Sequence, residues 1–404
     1  MLYYTMTFFF YDLETSGLDP RQARIMQFAG QRTTPDLEPI GDPYNLLLKL
    51  DPDTIPDAGA LKITGLDPKQ DGLTEAEFAQ KLHDEIFTPA TTMVGFNSIG
   101  FDDEFLRFTF WRTFHDPYAW AYAGARSRWD ILNLVRATRA LRPDGINWPI
   151  KNDKPTNRLE ELTAANRLEH THAHDALSDV FATIAVARLI KSTQPKLFDY
   201  LLRYRGKASV TKLLSTGEPL VYTDRRIKHS TYTTVILPVR LEPDGKITAL
   251  DARSDDLLWL RANRCPTLAP LTALTDDNWQ SLEIDPETVF RASEAAALLA
   301  AEQADQGSQE AFDLGTIPRE APTLDNVDGM LYDGFLEDSD RHLCDLVRNS
   351  TANQLADLHP EFRDERLTPL LLLYKARNFP TSLSADEQKS YQAFTKRKAA
   401  RLIS

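Results

Sequence analysis

Cysteine is nearly missing from this 404-residue chain: Cys265 and Cys344 are the only two. They lie far apart without metal-type spacing, which excludes a disulfide framework or thiolate zinc site and makes a reducing cytoplasm the simplest home. Long apolar runs are missing too. LTPLLLLY at 367–374 falls far short of the ~20 residues a membrane helix needs, so no membrane segment is expected. The opening MLYYTMTFFF lacks a charged leader and a small-residue cleavage site and runs straight into Asp12 and Glu14, so it reads as a strand. No internal repeat is present. Positive charge is also in deficit: 46 Lys and Arg against 59 Asp and Glu give −13, which argues against nucleic-acid binding through general basicity.

What is there describes a folded chain. Hydrophobic residues make up 42% and charged residues 26%, so neither a fibrous nor a mostly disordered protein fits. At roughly 150 residues per domain the length suggests two to three domains. The charge is unevenly placed. Residues 196–264 hold 13 basic and 8 acidic side chains, whereas 265–340 hold 2 and 17. The clustered Arg203, Arg205, Lys207, Arg225, Arg226 and Lys228 suit a phosphate backbone as well as they suit a solvated face.

Periodicity predicts strands at 7–13, 25–33, 44–50 and 91–96, with helices at 101–114, 129–141, 158–166 and 175–191. A further helix opens at TEAE, where Thr74 and Glu77 form a capping box. Early strands followed by helices indicate an α/β domain. Residues 220–250, rich in Thr, Val, Ile and Tyr around a PDG turn, predict a small β-unit, followed by a helical ASEAAALLAAEQAD. A helical tail from about 340 has a last helix opened by the capping box Ser384–Glu387.

Chemistry concentrates on carboxylates. Asp12 and Glu14 alternate with Leu13 in a strand, so both project from one face, where they repel unless a cation neutralises them. Oxygen-only ligands select hard ions such as Mg²⁺ or Mn²⁺. An acidic strand end is more often only a solvated turn. Asp102 opens a helix, where a carboxylate either caps or ligates. His174 precedes Asp179 by five residues, about 140° around a regular helix, so the two converge only if His174 sits in the entry loop or first turn. The ordered set of four carboxylates and a histidine matches two-metal phosphoryl transfer, with His174 able to take a proton from water near neutral pH.

The segments YDLET, GFNSIGFDDE and HDALSD resemble the three signatures of the DEDD exonuclease superfamily in its histidine-containing branch. DPYAWAY, SRWDILNLVRA, ALRPDGINWP, RLEELTAAN, EHTHAHDALSDVFATIA, QPKLFDYLL, NRCPTLAP, DNVDGMLYDGF and YKARNFP extend the likeness to the bacterial exonuclease I family. That resemblance implies a ribonuclease H-like α/β exonuclease domain with a mixed sheet at 1–195, an SH3-like β-rich domain at 196–337 and a short helical domain at 338–404. It implies metal binding by Asp12, Glu14, Asp102 and Asp179, with His174 as general base. The implied cofactor is two Mg²⁺, for which Mn²⁺ can substitute. Thr15, Arg107, Tyr118, Arg136, Arg158 and Lys207 match positions that contact the DNA strand, as Glu14 also does.

The implied activity is 3′-to-5′ digestion of single-stranded DNA to 5′-mononucleotides in DNA repair and recombination, by a cytoplasmic monomer. The implied partner is the acidic C-terminal tail of single-stranded DNA-binding protein, with Arg and Lys in 196–228 contributing. Two departures stand out. The chain stops soon after YKARNFPTSLSADEQ where relatives continue, which bears on clamp closure more than on chemistry, and the segment RRIKH at 225–229 differs. An exonuclease acting on RNA or in proofreading shares the five-residue set, and a catalytically silent DNA-binding module shares the fold.

Overall fold

The computed structural model describes residues 5–170, 175–242, 245–305 and 320–400. A five-stranded sheet forms from β1 (Thr7–Thr15), β2 (Ile25–Thr33), β3 (Tyr44–Leu47), β4 (Thr91–Gly95) and β5 (Ser127–Asp130), in the order β3-β2-β1-β4-β5. β1 pairs antiparallel with β2 and parallel with β4, so the sheet is mixed, as expected. The unbroken apolar run of β1 follows from burial of both faces. Phe8 and Phe10 join a core with Val180, Ile184 and Ala187 of the helix Ala176–Thr193. Phe9, Tyr11 and Leu13 join another with Phe78 of the helix Glu75–Lys81 and Phe105 of the helix Asp102–Arg112.

Strand β5 corrects the sequence reading, which began a helix at 129; the helix spans Ile131–Leu141. Four residues carrying a buried arginine and a buried aspartate, Arg128 and Asp130, offer no strand-like alternation. Their partners come from distant chain, invisible to a local pattern. The third strand is also shorter than predicted, ending at Leu47. The predicted Thr74–Glu77 and Ser384–Glu387 capping pairs are both formed.

After a small hairpin of β6 (Ile150–Lys151) and β7 (Lys154–Pro155), the predicted β-unit appears as a second sheet. Its strands are β8 (Leu220–Thr223), β9 (Thr233–Leu241), β10 (Lys246–Asp251), β11 (Leu257–Arg261) and β12 (Thr267–Pro270), in the order β11-β10-β9-β8-β12. Of the PDG turn, Pro243 and Asp244 lie outside the described residues, and Gly245 has φ +80. The helix Pro286–Asp305 covers part of one face through Val289, Ala292 and Ala296.

The helical tail packs behind the helix Asp102–Arg112, with Phe108 and Trp111 meeting Val327, Val347, Leu370 and Leu373. The apolar LTPLLLLY segment thus serves burial within the helix Leu367–Asn378. Among the described residues no helix is long and apolar enough to cross a membrane. A buried ion network fastens the tail down. Arg377 donates to Asp53 and Asp328, Arg24 donates to Asp51 and Asp328, and Arg112 donates to Glu75. Arg24 also donates its backbone N–H to Ser16 Oγ, two residues beyond Glu14.

Candidate active site

The β1 pleat turns Asp12 and Glu14 to the face that carries Phe8 and Phe10. The helix Ala176–Thr193 crosses that face, and Asp179 in its first turn comes down beside both carboxylates. Carboxylate oxygens of Asp12, Glu14 and Asp179 lie within 4.8 Å of one another. Asp175 caps the helix by accepting from Ser178 N and is tied back to β2 by Gln27 Nε2 at 3.3 Å, which fixes the helix entry over the sheet.

Electrostatics mark this cluster as a place for a cation. Burial, then Asp102, Asp179 and Glu14, push the Asp12 carboxyl well above the ordinary range. Burial, then Asp179 and Asp175, raise Glu14 to about 8. Burial and the adjacent Asp103 raise Asp102. Without a counter-ion these side chains favour protons; a hard divalent cation removes the repulsion instead. The donors are all carboxylate oxygens in mutual reach, so they fit such an ion.

Asp102 stands beside this trio as the first residue of its helix; the adjoining N-cap, Phe101, makes no side-chain capping bond. Its neighbour Asp103 is clamped by Tyr11 Oη and Arg128 Nη1, and the second Nη of Arg128 donates to Asn263 O at 2.6 Å. Asp130 holds the preceding loop by accepting from Asn97 N at 2.9 Å and caps the next helix through Leu132 N. A side chain at Gly95 would place Cβ 2.5 Å from Ser98 Cβ, so this tight turn requires glycine.

His174 lies outside the described residues. Among the described residues His170 reaches the site: its Nε2 is 2.5 Å from Asp179 Oδ1 and its Nδ1 is 3.2 Å from Thr163 Oγ1. Sequence reasoning missed it, together with Asp175 and the Tyr11–Asp103–Arg128 clamp. The run HTHAHD was itself a signal, but it does not say which histidine points inward.

The residues matched to strand contacts lie on several different elements. Thr15 is buried at the end of β1 with Oγ1 donating to Gly17 O. Arg107 lies over the Tyr118 ring at 5.9 Å and donates to Glu104 Oε1 and Tyr332 Oη. Tyr118 in turn packs on Tyr332 and the exposed Phe335, making an aromatic rim that the sequence reading did not single out. Arg136 lies over the Tyr232 ring at 4.9 Å, reaching from the first domain to the β-unit. Arg158 and Lys207 are exposed, Lys207 at the start of the helix Lys207–Leu214.

Known proteins share this organisation. The family described as Exonuclease matches residues 9–187, and the Exonuclease I C-terminal domain matches 325–402. Exodeoxyribonuclease I of Haemophilus influenzae is 36% identical over 97% of this chain and 90% of its own. That of Escherichia coli is 36% identical over 95% and 88%. Among solved structures, exonuclease I of Methylocaldum szegediense superposes with a TM-score of 0.88 at 35% identity, covering 97% of this chain and 90% of that one. E. coli exonuclease I in complex with a dA16 oligonucleotide gives 0.88 at 33%, covering 98% and 91%. Similar matches include a zinc-bound E. coli enzyme with single-stranded DNA and an SSB/exonuclease I structure with an inhibitor. By fold, carboxylate cluster and likeness along nearly its whole length, the chain belongs to the exodeoxyribonuclease I family of exonuclease hydrolases.

Proposed function

We propose that this protein digests single-stranded DNA from the 3′ end, releasing 5′-mononucleotides with Mg²⁺ bound by Asp12, Glu14, Asp102 and Asp179. The observation that carries the reading is the convergence of Asp12, Glu14 and Asp179 oxygens within 4.8 Å, with Asp102 beside them. Bound divalent ions supply charge neutralisation at the scissile phosphate and acidify a water. The chain's residues do the rest. Glu14 and Asp12 fix one wall from β1, and Asp179 closes the other from its helix. His174, in the chain just ahead of that helix, takes the proton from the attacking water. Arg107 and the Tyr118 rim orient the strand, with the guanidinium meeting phosphate and the rings stacking bases without sequence preference.

Thr15, Arg136, Arg158 and Lys207 are assigned to the same strand path. The proposed partner is the acidic tail of single-stranded DNA-binding protein, in line with the SSB/exonuclease I structure among the relatives. The proposed setting is DNA repair in the cytoplasm, with the protein acting as a monomer built of domains 1–195, 196–337 and 338–404. The test compares matched single-stranded DNA, duplex DNA and RNA oligonucleotides labelled at the 5′ end, with Mg²⁺. Progressive shortening of the single-stranded DNA alone is expected; preferential loss of RNA would overturn the substrate assignment.

A further inference from the structure

Trp259 is 54% exposed on β11, the free edge strand of the second sheet. A large aromatic ring on an open sheet edge is costly to leave in water and invites pairing, so the residues around it decide what it meets. They are cations. The Arg226 guanidinium lies 5.3 Å from the ring centroid, and the Lys246 ammonium lies 5.9 Å from it. Arg226 is locked there by donating to Trp259 O at 2.8 Å, Asp224 Oδ1 at 2.8 Å and Tyr222 Oη at 2.6 Å. The register sets Trp259 opposite Thr248 and Thr248 opposite Arg240, while Arg261 lies opposite Lys246. Since side chains two apart share a face, Trp259, Lys246, Arg261 and Arg240 form one surface. Farther along, the same face is covered by the helix Pro286–Asp305 through Leu250 and Leu237, whereas at this end Trp259 stays exposed among the described residues.

The patch is connected to the carboxylate site by rigid elements. β11 runs directly into the turn Ala262–Arg264, which docks on the first domain through Asn263 O and through Arg264 Nη1, 2.9 Å from Glu104 Oε1. Glu104 is two residues from Asp102. At a strand rise of about 3.3 Å per residue, Trp259 stands roughly 7 Å up the strand from Arg261, where that turn begins. The loop that supplies Arg226 also supplies Tyr232, on which Arg136 rests. Arg225 of that loop lies close enough to Arg136 for their charges to interact, and Arg226 follows it in the chain.

We infer that the Trp259 face, with Arg226, Arg240, Lys246 and Arg261, is a second contact site for single-stranded DNA, holding the strand outside the catalytic groove. Cations answer phosphates, and an exposed indole stacks on any base. The inference rests on the reading of single-stranded DNA as substrate.

The test measures binding by anisotropy in EDTA, using labelled oligothymidylates of about 8 and about 40 nucleotides, for wild type, Trp259→Ala, Trp259→Phe and the double variant R240E/K246E. Binding of the long strand is expected to fall about tenfold in Trp259→Ala and to recover in Trp259→Phe. The double variant should lower the salt slope for the long strand by about 1.4, since each phosphate contact on a single strand contributes about 0.7. Binding and Mg²⁺-dependent digestion of the short strand should be unchanged. Unaltered long-strand binding, or equal losses at both lengths, would overturn the site. Variants that keep DNA binding but lose an acidic peptide would reassign the surface to a protein partner. A wild-type protein that neither binds nor digests the short strand would instead defeat the underlying functional reading.

Discussion

His170 Nε2 lies 2.5 Å from Asp179 Oδ1, and the other ring nitrogen faces Thr163 Oγ1 at 3.2 Å. The imidazole fixes which way Asp179 presents its oxygens. His170→Ala should weaken divalent-ion binding about 10- to 100-fold, the usual cost of losing a group that orients a ligand. Calorimetric titration with Mn²⁺ measures this, and His170→Gln should restore part of it. Unchanged ion affinity would limit His170 to packing.

Protons and metal compete for the same carboxylates. Glu14 is raised from 4.5 to about 8, chiefly by burial. The folded, metal-free chain therefore keeps a proton that the unfolded chain releases above about 4.5. Its contribution to stability is full below that pH and is lost as pH rises towards about 8. Asp12 and Asp102 shift the same way. Saturating Mg²⁺ should thus raise Tm more at pH 8 than at pH 6, as read by calorimetry; an equal rise would contradict proton–metal competition.

Arg377, its side chain 2% exposed, answers Asp53 and Asp328 at 2.7–2.9 Å, with Asp51 at 3.6 Å. Removing it strands buried carboxylates that the guanidinium holds well below their usual range. Arg377→Ala should cost about 3–5 kcal/mol in urea unfolding. A loss under 1 kcal/mol would mean water reaches the network.

Arg107 bridges Glu104 and the Tyr118–Tyr332 rim. In the proposed role of orienting the strand, Arg107→Ala should raise KM for oligonucleotide about tenfold and change kcat less. A pure kcat loss would place Arg107 on the reacting phosphate.

Much of this was legible locally. The Asp12-Leu13-Glu14 alternation gave two carboxylates on one face, and the run from Phe8 to Tyr11 gave a strand buried on both sides. Thr74 with Glu77 marked a helix start because both partners of the capping box are three residues apart. Whatever depends on distant chain stayed hidden. β5 was taken for helix because Arg128 finds its partners at Asp103 and Asn263, and Asp130 reaches back to Asn97. His170 was passed over because its partners, Thr163 seven residues back and Asp179 nine residues on, together match no single helical or strand period. The Trp259 patch needed the sheet register before its cations could be seen on one face.

The most direct measurement follows mononucleotide release from a single-stranded oligonucleotide with Mg²⁺ for wild type, Asp12→Ala and Asp179→Ala, with folding checked by circular dichroism. The carboxylate cluster predicts release from the 3′ end by the wild type and a loss of at least about a thousandfold in both folded variants. Activity within about tenfold of wild type in either variant would contradict it.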